Sequence, residues 1–382
     1  SDYWVQLTKN IEDKLSDKLH EELTKSFIDK KISILSRGLK QDLVLKTQIN
    51  EENKIHIDGQ LIGELKGLKF IIELTAKTLD SDIKSIKKAA RKGVKDELDN
   101  RVVKIIEKQD ISIDSNSKII WKKNPIAKLR KGHDYLNPEI EIIADELIEL
   151  ETKVQLEEFL KKWFSKYIHE ILGDLINLTK QKTTNQYLRA LTFQLYEKNG
   201  VIKRSEIDKI VKLIPADERK KLWGMGIKIG RYHIFLPKML KPKAVEFRVS
   251  LWKIFYNLAD KNEIPKFGLN FIINKDYEKN FLLLCGFEKF NDYFIRIDIL
   301  EKLFIKILNC TENRKFRINS EMMNLLGCTK ENFHKLMSYM NYKKDTAENT
   351  YIFRGERKKI DKFIKFDKKE NPFKKLLSLK IK

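Results

Sequence analysis

One stretch, residues 225–242, constrains the second half of this chain more than any other, and it reads MGIKIGRYHIFLPKMLKP. Apolar and polar residues alternate along it until Pro237 ends the alternation. Such alternation is typical of a half-buried β-strand, and a glycine inside it marks a bend. The pattern therefore predicts a strand over residues 226–236, bent at Gly230, with helical patterns on both sides.

Basic and aromatic side chains accompany this strand and its exit. The candidate nucleic-acid contacts here are Arg231, Tyr232, Lys238, Lys241 and Lys243. Arg and Lys pair with phosphates, and aromatic rings stack on bases along single-stranded paths. A second interpretation stays open, in which Tyr232 faces the core and the lysines are ordinary solvated charges.

A shorter pattern occurs twice in the first half of the chain. KIHIDGQLIGELKG begins at Lys54, and KIIWKKNPIAKLRKG begins 64 positions later, so that Leu65 matches Leu129. The Asp58-Gly59 pair in the first copy is a strong hairpin signal between alternating apolar residues. The repeat predicts a duplicated hairpin with both leucines buried.

The fold class that these patterns predict is α+β, predominantly helical. The expected parts are an N-terminal helical segment (1–43), a small β-rich domain with the duplicated hairpin and a covering helix at about 80–108 (44–144), a helical domain containing the strand at 226–236 (145–260), and a mixed α/β domain with a basic tail (261–382). Apolar residues recur at helical spacing in the first segment and are expected to be core.

The last part of the chain contains a helix, two further helices in close succession and a hairpin. The second of the close helices, CTKENFHKLMSYMNY, is expected to point Lys330 and Lys335 outward. This order predicts a winged-helix unit. Winged helices bind nucleic acid or pack against protein, and the sequence leaves both roles open. The tail is basic, with fourteen Lys or Arg against six Asp or Glu from residue 343 onward.

Charge favours a polyanionic partner but does not establish one. The formal net charge is +22 and the pI is about 9.5, which is typical of nucleic-acid-binding proteins. The abundance of Lys, Ile and Asn over Arg is also what AT-rich coding gives to any protein. Residues 137–160 are strongly acidic, so nucleic acid is expected to bind elsewhere.

Cysteine usage and hydropathy place the chain in the cytoplasm by default. The three cysteines are far apart and form no CxxC pair, so we expect reduced, buried thiols rather than a disulfide framework or a zinc site. No apolar run approaches the roughly 20 residues that span a bilayer. We therefore expect no membrane partner.

Catalytic motifs were sought, and none has its required context. A nucleotide-driven motor needs a glycine loop followed by Lys, and none of the fifteen glycines is followed by Lys. HEELT at His20 and HEILG at His169 lack the second His of a zinc-protease helix. His233 is a lone histidine inside the predicted strand, most simply a structural one. No catalytic residue, metal site or cofactor is therefore assigned.

Several segments together carry a resemblance to a known family. They are residues 225–242, LHEELTKSFIDKKISILSRGL from Leu19, WKKNPIAKL from Trp121, CGFEKFNDYFIRIDILEKL from Cys285, MMNLLGCTKENF from Met322 and NPFKKLLSLK from Asn371. In this order they resemble the C-terminal region of alphaproteobacterial superfamily-two helicases, relatives of the RNA helicase of the mitochondrial degradosome.

This resemblance implies an accessory region of an RNA helicase, whose ATPase motor is absent from the chain. The N-terminal helix would follow the motor domains and brace them, and the chain would bind or guide single-stranded RNA. The alternative is a stand-alone winged-helix protein that binds DNA or acts as an interaction scaffold. The matching residues are packing residues, so they indicate kinship rather than chemistry.

Overall fold

The computed structural model of the chain describes residues 2–40, 47–50, 52–57, 59–72, 80–180, 185–258, 263–274, 276–345 and 349–353. Helices and small antiparallel sheets occur along these ranges. The fold is therefore mixed α+β, as the sequence predicts. Among the described helices, none combines the length and the apolar character that a bilayer crossing requires.

The elements are numbered in chain order. The helices are α1 Asp2–Lys40, α2 Asp80–Lys108, α3 Leu150–Lys180, α4 Gln186–Glu197, α5 Arg204–Leu213, α6 Ala216–Gly224, α7 Pro242–Tyr256, α8 Lys279–Leu284, α9 Ile297–Asn309, α10 Ser320–Leu326 and α11 Lys330–Tyr339, with a 3-10 turn at Pro237–Leu240. The strands are β1 Thr47–Ile49, β2 Lys54–Ile57, β3 Gln60–Lys66, β4 Lys69–Ile72, β5 Ile111–Ile113, β6 Lys118–Trp121, β7 Asn124–Asp134, β8 Asn137–Ile142, β9 Val201–Lys203, β10 Lys228–Ile229, β11 His233–Phe235, β12 Phe271–Ile273, β13 Phe287–Phe290, β14 Tyr293–Arg296, β15 Lys315–Arg317, β16 Tyr342–Lys344 and β17 Thr350–Phe353.

The chain divides into two compact units that interleave in sequence. Unit 1 comprises the described residues up to Gly200 together with Ile210–Ile227 and Leu236–Pro265. Unit 2 comprises Val201–Lys209, Lys228–Phe235 and the described residues from Lys266 onward. The middle of the chain therefore contributes to both units, whereas the sequence suggested four consecutive segments.

Unit 1 contains two four-stranded sheets with the same strand order, β1-β2-β3-β4 and β5-β6-β7-β8. In the first, β2 and β3 pair with a register shift after Ile55, and in the second, β6 and β7 pair with a register shift after Ile119. These positions are 64 residues apart, as are the hairpin segments themselves. The matched leucines, Leu65 and Leu129, are each 2% exposed. The two segments therefore form equivalent hairpins.

Local hydrogen bonds repeat at the same spacing. The side-chain oxygen of Asn50 accepts the backbone N–H of Lys54 at 2.8 Å, and that of Asp114 accepts the N–H of Lys118 at 2.7 Å. An Asn or Asp side chain that bonds to the nearby backbone closes a turn without help from other elements. Each sheet thus carries its own turn signal between its first two strands.

The two sheets differ in their last hairpin. The first turns at Gly67 and Leu68, immediately after Lys66 pairs with Lys69. The second extends further, because β7 runs on past Arg130 before the chain turns at Tyr135 and Leu136. The second copy therefore projects a longer arm than the first.

The acidic segment before α3 is not helical, although the helical domain expected from the sequence begins at Asp145. The backbone N–H of Asp145 bonds to the Leu68 carbonyl at 2.9 Å, and its carboxylate accepts the N–H of Phe70 at 3.4 Å. These contacts hold the segment against the first sheet, 75 residues away in sequence. The helix begins only at Leu150.

The apolar stripe of α1 is exposed rather than core, so that expectation is wrong over the first half of the helix. Six of its members are between 39% and 67% exposed: Trp4, Leu7, Ile11, Leu15, Leu19 and Leu23. Helical periodicity shows that a face is apolar, but it does not supply the surface that covers the face. In unit 1 this part of the helix lacks such a cover among the described residues.

The stretch at 226–236 is a hairpin, not one bent strand. β10 and β11 pair antiparallel, and the N–H of Gly230 bonds to the His233 carbonyl at 2.8 Å. β9 pairs with the other edge of β11 and completes a three-stranded sheet in unit 2. Alternation alone did not distinguish a strand that continues from one that folds back at the glycine.

The rest of unit 2 is two small sheets around a helical core. One has the order β12-β14-β13, and the other has the order β15-β17-β16. The second sheet follows α9 in sequence and is interrupted by α10 and α11. Phe316, Phe333 and Tyr351 belong to one buried cluster with α9 residues such as Leu303. Side chains of Asn319 and Thr329 cap the N-termini of α10 and α11.

Candidate nucleic-acid interface

The candidate contacts from residue 231 to residue 243 fall in both units. Arg231 and Tyr232 belong to unit 2, whereas Lys238, Lys241 and Lys243 belong to unit 1. The candidate contacts therefore form two groups, one in each unit.

In unit 2 the turn before β11 is held by one carboxylate. Glu301 of α9 is 6% exposed and accepts the backbone N–H groups of Arg231 at 2.6 Å, Tyr232 at 2.9 Å and His233 at 2.8 Å. Successive N–H groups that converge in this way form an anion-binding nest. Here the protein's own carboxylate occupies the nest, so the turn is preorganised by packing and does not offer this nest to a ligand.

Gly230 makes this close approach feasible. A Cβ atom at this position would lie 2.3 Å from Cδ of Glu301. No side chain fits such a distance without moving the carboxylate. The glycine that looked like a bend in a strand is therefore a contact point for a helix that follows some 70 residues later in the sequence.

His233 belongs to a buried charge cluster. Its Nε2 lies 3.0 Å from Glu288, which also pairs with Lys203, and its Nδ1 lies 3.4 Å from Glu301. Burial works to lower the pKa of His233, but the two carboxylates outweigh it and raise that pKa. Burial likewise works to raise the pKa of Glu288, yet His233 and Lys203 hold it below its ordinary value. The cluster ties β9, β11, β13 and α9 together, which is a structural role.

Arg231 and Tyr232 both contact Phe304 of α9. The guanidinium carbon lies 6.0 Å from the Phe304 ring centre, and the Tyr232 ring meets Phe304 edge-on at 5.5 Å. Both side chains are half-buried. Tyr232 is therefore engaged in packing, and Arg231 presents only part of its surface to solvent.

In unit 1 the three lysines have different surroundings. Lys238 pairs with Asp174 at 3.0 Å. Lys243 lies with its Nζ 5.7 Å from the Tyr167 ring centre, and Lys241 is exposed. Phe235, between the two groups, is 2% exposed and cannot stack on a base.

The helix α11 presents a basic face, and β16 carries further basic residues. Lys330 and Lys335 of α11 and Lys343 and Lys344 of β16 are exposed, while Glu331 is the acidic residue of the same helix. Among described residues no ion pair joins any of the four lysines to a carboxylate. The opposite face of α11 is buried through Phe333, Leu336 and Met337, each 0% exposed. The sequence predicts that Lys330 and Lys335 point outward, as they do here.

His334 reports the electrostatics of this face. It stacks against Tyr351 and makes a hydrogen bond with the Tyr351 hydroxyl. Burial, together with the positive charges of Lys344 and Lys330, lowers the pKa of His334 below its ordinary value of 6.5. The histidine is therefore neutral at pH 7, and the lysines around it make a locally positive potential.

Sequence reasoning missed Glu301, Glu288 and Lys203. A signal for Glu301 was present, because it is an acidic residue four positions after Ile297 on the apolar face of α9. A charge on a buried face requires a partner. The backbone groups that partner it cannot be found in a sequence pattern.

The described part of the chain contains no cluster of three His, Cys, Asp or Glu residues arranged to hold a metal ion. The cysteines are free thiols, and Cys310 is exposed rather than buried as expected. Most of the basic tail, residues 354–382, lies outside the described residues.

Comparisons with known proteins give no relative for this chain. No protein-family model, no curated protein and no solved structure matches it.

Proposed function

We propose that this chain is the accessory C-terminal region of an RNA helicase of the type that it resembles, and that it binds or guides single-stranded RNA in the cytoplasm. The chain would supply no ATPase motor of its own. Within unit 2, we interpret the series α9, β15, α10, α11, β16 and β17 as a winged-helix unit, because a short turn joins two helices and a two-stranded wing follows them.

The observation that carries this proposal is the basic face formed by Lys330 and Lys335 of α11. Its charge is not neutralised by ion pairs with described residues. Burial, followed by the charges of Lys344 and Lys330, lowers the pKa of the adjacent His334. Unpaired positive charge on a helix that is anchored by its other face suits a phosphate backbone. Arg231, Lys238, Lys241 and Lys243 remain proposed secondary contacts.

A protein partner is proposed as well. The exposed apolar stripe of α1 supports packing against another protein surface, and in the resembled family the preceding motor domains would provide it. The test is whether the reading frame upstream of the Ser1 codon encodes a phosphate-binding loop and an acidic box. A frame without them would favour the stand-alone DNA-binding or scaffolding alternative.

The RNA-binding proposal is tested by fluorescence anisotropy with a labelled single-stranded RNA. Replacing Lys330 and Lys335 by Ala should weaken binding by roughly fivefold per lost phosphate contact at 0.1 M salt. The same loss is expected for RNAs of different sequence, because phosphate contacts carry no sequence information. The matched control is Lys153→Ala with Lys162→Ala, two exposed lysines of α3.

Equal losses from the two pairs of substitutions would contradict the assignment to α11. Preferential binding of duplex DNA over single-stranded RNA would favour the stand-alone winged-helix alternative. Absence of binding to any nucleic acid at low salt would favour a scaffolding role.

A further inference from the structure

Unit 1 contains an open groove of about 1160 Å³ between the second sheet and α7. One wall is the turn before β6 and the extended part of β7, from Lys128 to Lys131. The other wall is one side of α7, from Lys243 to Asn257. Pockets for drug-sized ligands measure about 300–1,000 Å³, so the groove has room for a segment of a polymer.

The hairpin of β7 and β8 contacts α7 near its turn. The hydroxyl of Tyr135, in the turn between β7 and β8, donates to the Arg248 carbonyl at 2.6 Å. Lys131 places its Nζ 5.2 Å from the Phe255 ring centre of α7. Both residues lie beyond Arg130, in the part of β7–β8 that has no counterpart in β3–β4, because the first sheet already turns at Gly67. The extension thus fixes the distance between the two walls.

Both walls carry basic side chains. Among the described residues, the basic lining residues are Lys118, Lys128, Arg130, Lys131, Lys243 and Lys253, and the acidic ones are Asp114, Glu246 and Glu263. Arg130 pairs with Glu141 at 2.5 Å, and a carboxylate oxygen of Asp114 accepts the backbone N–H of Lys118 at 2.7 Å. Excess positive charge on two facing walls attracts a polyanion.

Between the basic walls the lining is apolar and aromatic. Leu129, Phe247 and Val249 contribute buried apolar surface, and the half-buried ring of Tyr167 lies beneath Lys243. Tyr167 is fixed by stacking on Trp163 at 5.1 Å. Positive charge along the backbone path combined with an immobilised aromatic ring is the arrangement that proteins use for single-stranded nucleic acid. An acidic peptide would pair with the lysines, but its aspartate and glutamate side chains carry no ring that stacks on Tyr167.

The first hairpin provides an internal comparison. The position equivalent to Lys128 is Glu64 in the first copy, 64 residues earlier, and β3 pairs with β2 in the same register as β7 pairs with β6. The same structural position therefore accepts either charge. The positive charge at Lys128 is not required by the fold of the hairpin.

We propose that this groove is a binding site for the phosphate backbone of single-stranded nucleic acid, with Lys128, Lys131 and Lys243 contacting phosphates and Tyr167 available for stacking on a base. This inference takes the class of ligand, single-stranded nucleic acid, from the proposed function. It does not depend on the α11 face, because the groove lies in unit 1 and that face lies in unit 2. A strand bound here would be held without regard to its sequence.

The test combines variants with footprinting of the unaltered protein. Lys128→Glu, which introduces the residue of the first copy, is combined with Lys131→Ala and Lys243→Ala. A labelled oligouridylate should then bind more than tenfold more weakly at 0.1 M salt. The negative slope of log affinity against log salt should become shallower by about 2. Lys162→Ala is the control. In the unaltered protein, oligouridylate should protect Lys131 and Lys243, but not Lys162, from acetylation.

The outcomes separate the two assignments. Unchanged affinity in the groove variant together with unprotected lysines would overturn the groove, while a loss in the Lys330 and Lys335 variant would leave the α11 proposal standing. A loss of affinity in the groove variant with protected Lys131 and Lys243, together with unchanged affinity in the Lys330 and Lys335 variant, would support the groove alone. Protection of Lys131 and Lys243 by polyglutamate but not by oligouridylate would assign the groove to an acidic peptide and overturn the inference.

Discussion

The carboxylate of Glu301 accepts the backbone N–H of Arg231 at 2.6 Å, although the two residues are 70 positions apart in sequence. The same carboxylate binds the next two N–H groups as well. This contact fixes the conformation of the turn between β10 and β11, and it depends on the absence of a side chain at Gly230.

Substitution of Gly230 by Ala should therefore destabilise unit 2. The added methyl group would displace the Glu301 carboxylate and leave three backbone N–H groups, of which that of His233 is buried, without their acceptor, at a cost of about 2–4 kcal/mol. Hydrogen exchange at the amides of Arg231, Tyr232 and His233 should accelerate. Gly224→Ala is the control, because nothing lies within 4 Å of its Cβ position. If hydrogen exchange in Gly230→Ala were as slow as in the parent protein, the proposed role of the Glu301 contact would be wrong.

Much of the local structure of this chain is predictable from sequence. The helix expected at about 80–108 is α2, Asp80–Lys108, and apolar residues at helical spacing, Val94, Leu98, Val102 and Ile105, are buried. The hairpin at Lys54 follows from alternation around the Asp58-Gly59 pair, although Asp58 itself lies outside the described residues. The inward and outward sides of α11 follow from the spacing of Phe333 and Leu336.

The errors have a common physical origin in contacts that are distant in sequence. The helix expected at Asp145 starts at Leu150, because Leu68 and Phe70 bind the acidic residue. The single strand expected at 226–236 is a hairpin, because Glu301 holds its turn. The candidate site was likewise divided between two units at Phe235 and Leu236, a boundary for which the local pattern gives no signal.

The buried cluster around His233 predicts a pH window for the stability of unit 2. The pKa of His233 is raised above 6.5 in the folded protein, so its contribution is complete below about pH 6.5 and is lost as the pH rises through the folded value. The pKa of Glu288 is lowered below 4.5, so its contribution is present above about pH 4.5 and is lost as the pH falls through the folded value.

Unit 2 should consequently be most stable between about pH 4.5 and 6.5, the ordinary pKa values of the two groups. The facing charges are Glu288, Glu301 and Lys203. The measurement is hydrogen exchange or denaturant unfolding of unit 2 from pH 4 to 9. His233→Gln should remove the decline on the alkaline side, and an unchanged decline in that variant would show that another group causes it.

His334 offers a reporter of ligand binding at α11. Its pKa is lowered by burial and by the charges of Lys344 and Lys330. A phosphate backbone bound to these lysines would neutralise their field, so the pKa of His334 should rise on addition of RNA. Titration of the imidazole C–H resonances by NMR, with and without RNA, measures this shift, and the same titration in the variant with Lys330→Ala and Lys335→Ala is the control. Saturating RNA that leaves His334 unshifted would place the ligand elsewhere.

The most direct test of the central claim is the affinity of the unaltered protein for a single-stranded RNA at several salt concentrations. Each neutralised phosphate of a single strand adds about −0.7 to the slope of log affinity against log salt. The two lysines of α11 predict a slope of about −1.4, and the three lysines of the groove predict a slope of about −2. We therefore expect binding at low salt with a slope of about −1.4 or steeper. Failure to bind RNA at 50 mM salt, or an affinity that does not change with salt, would contradict the account.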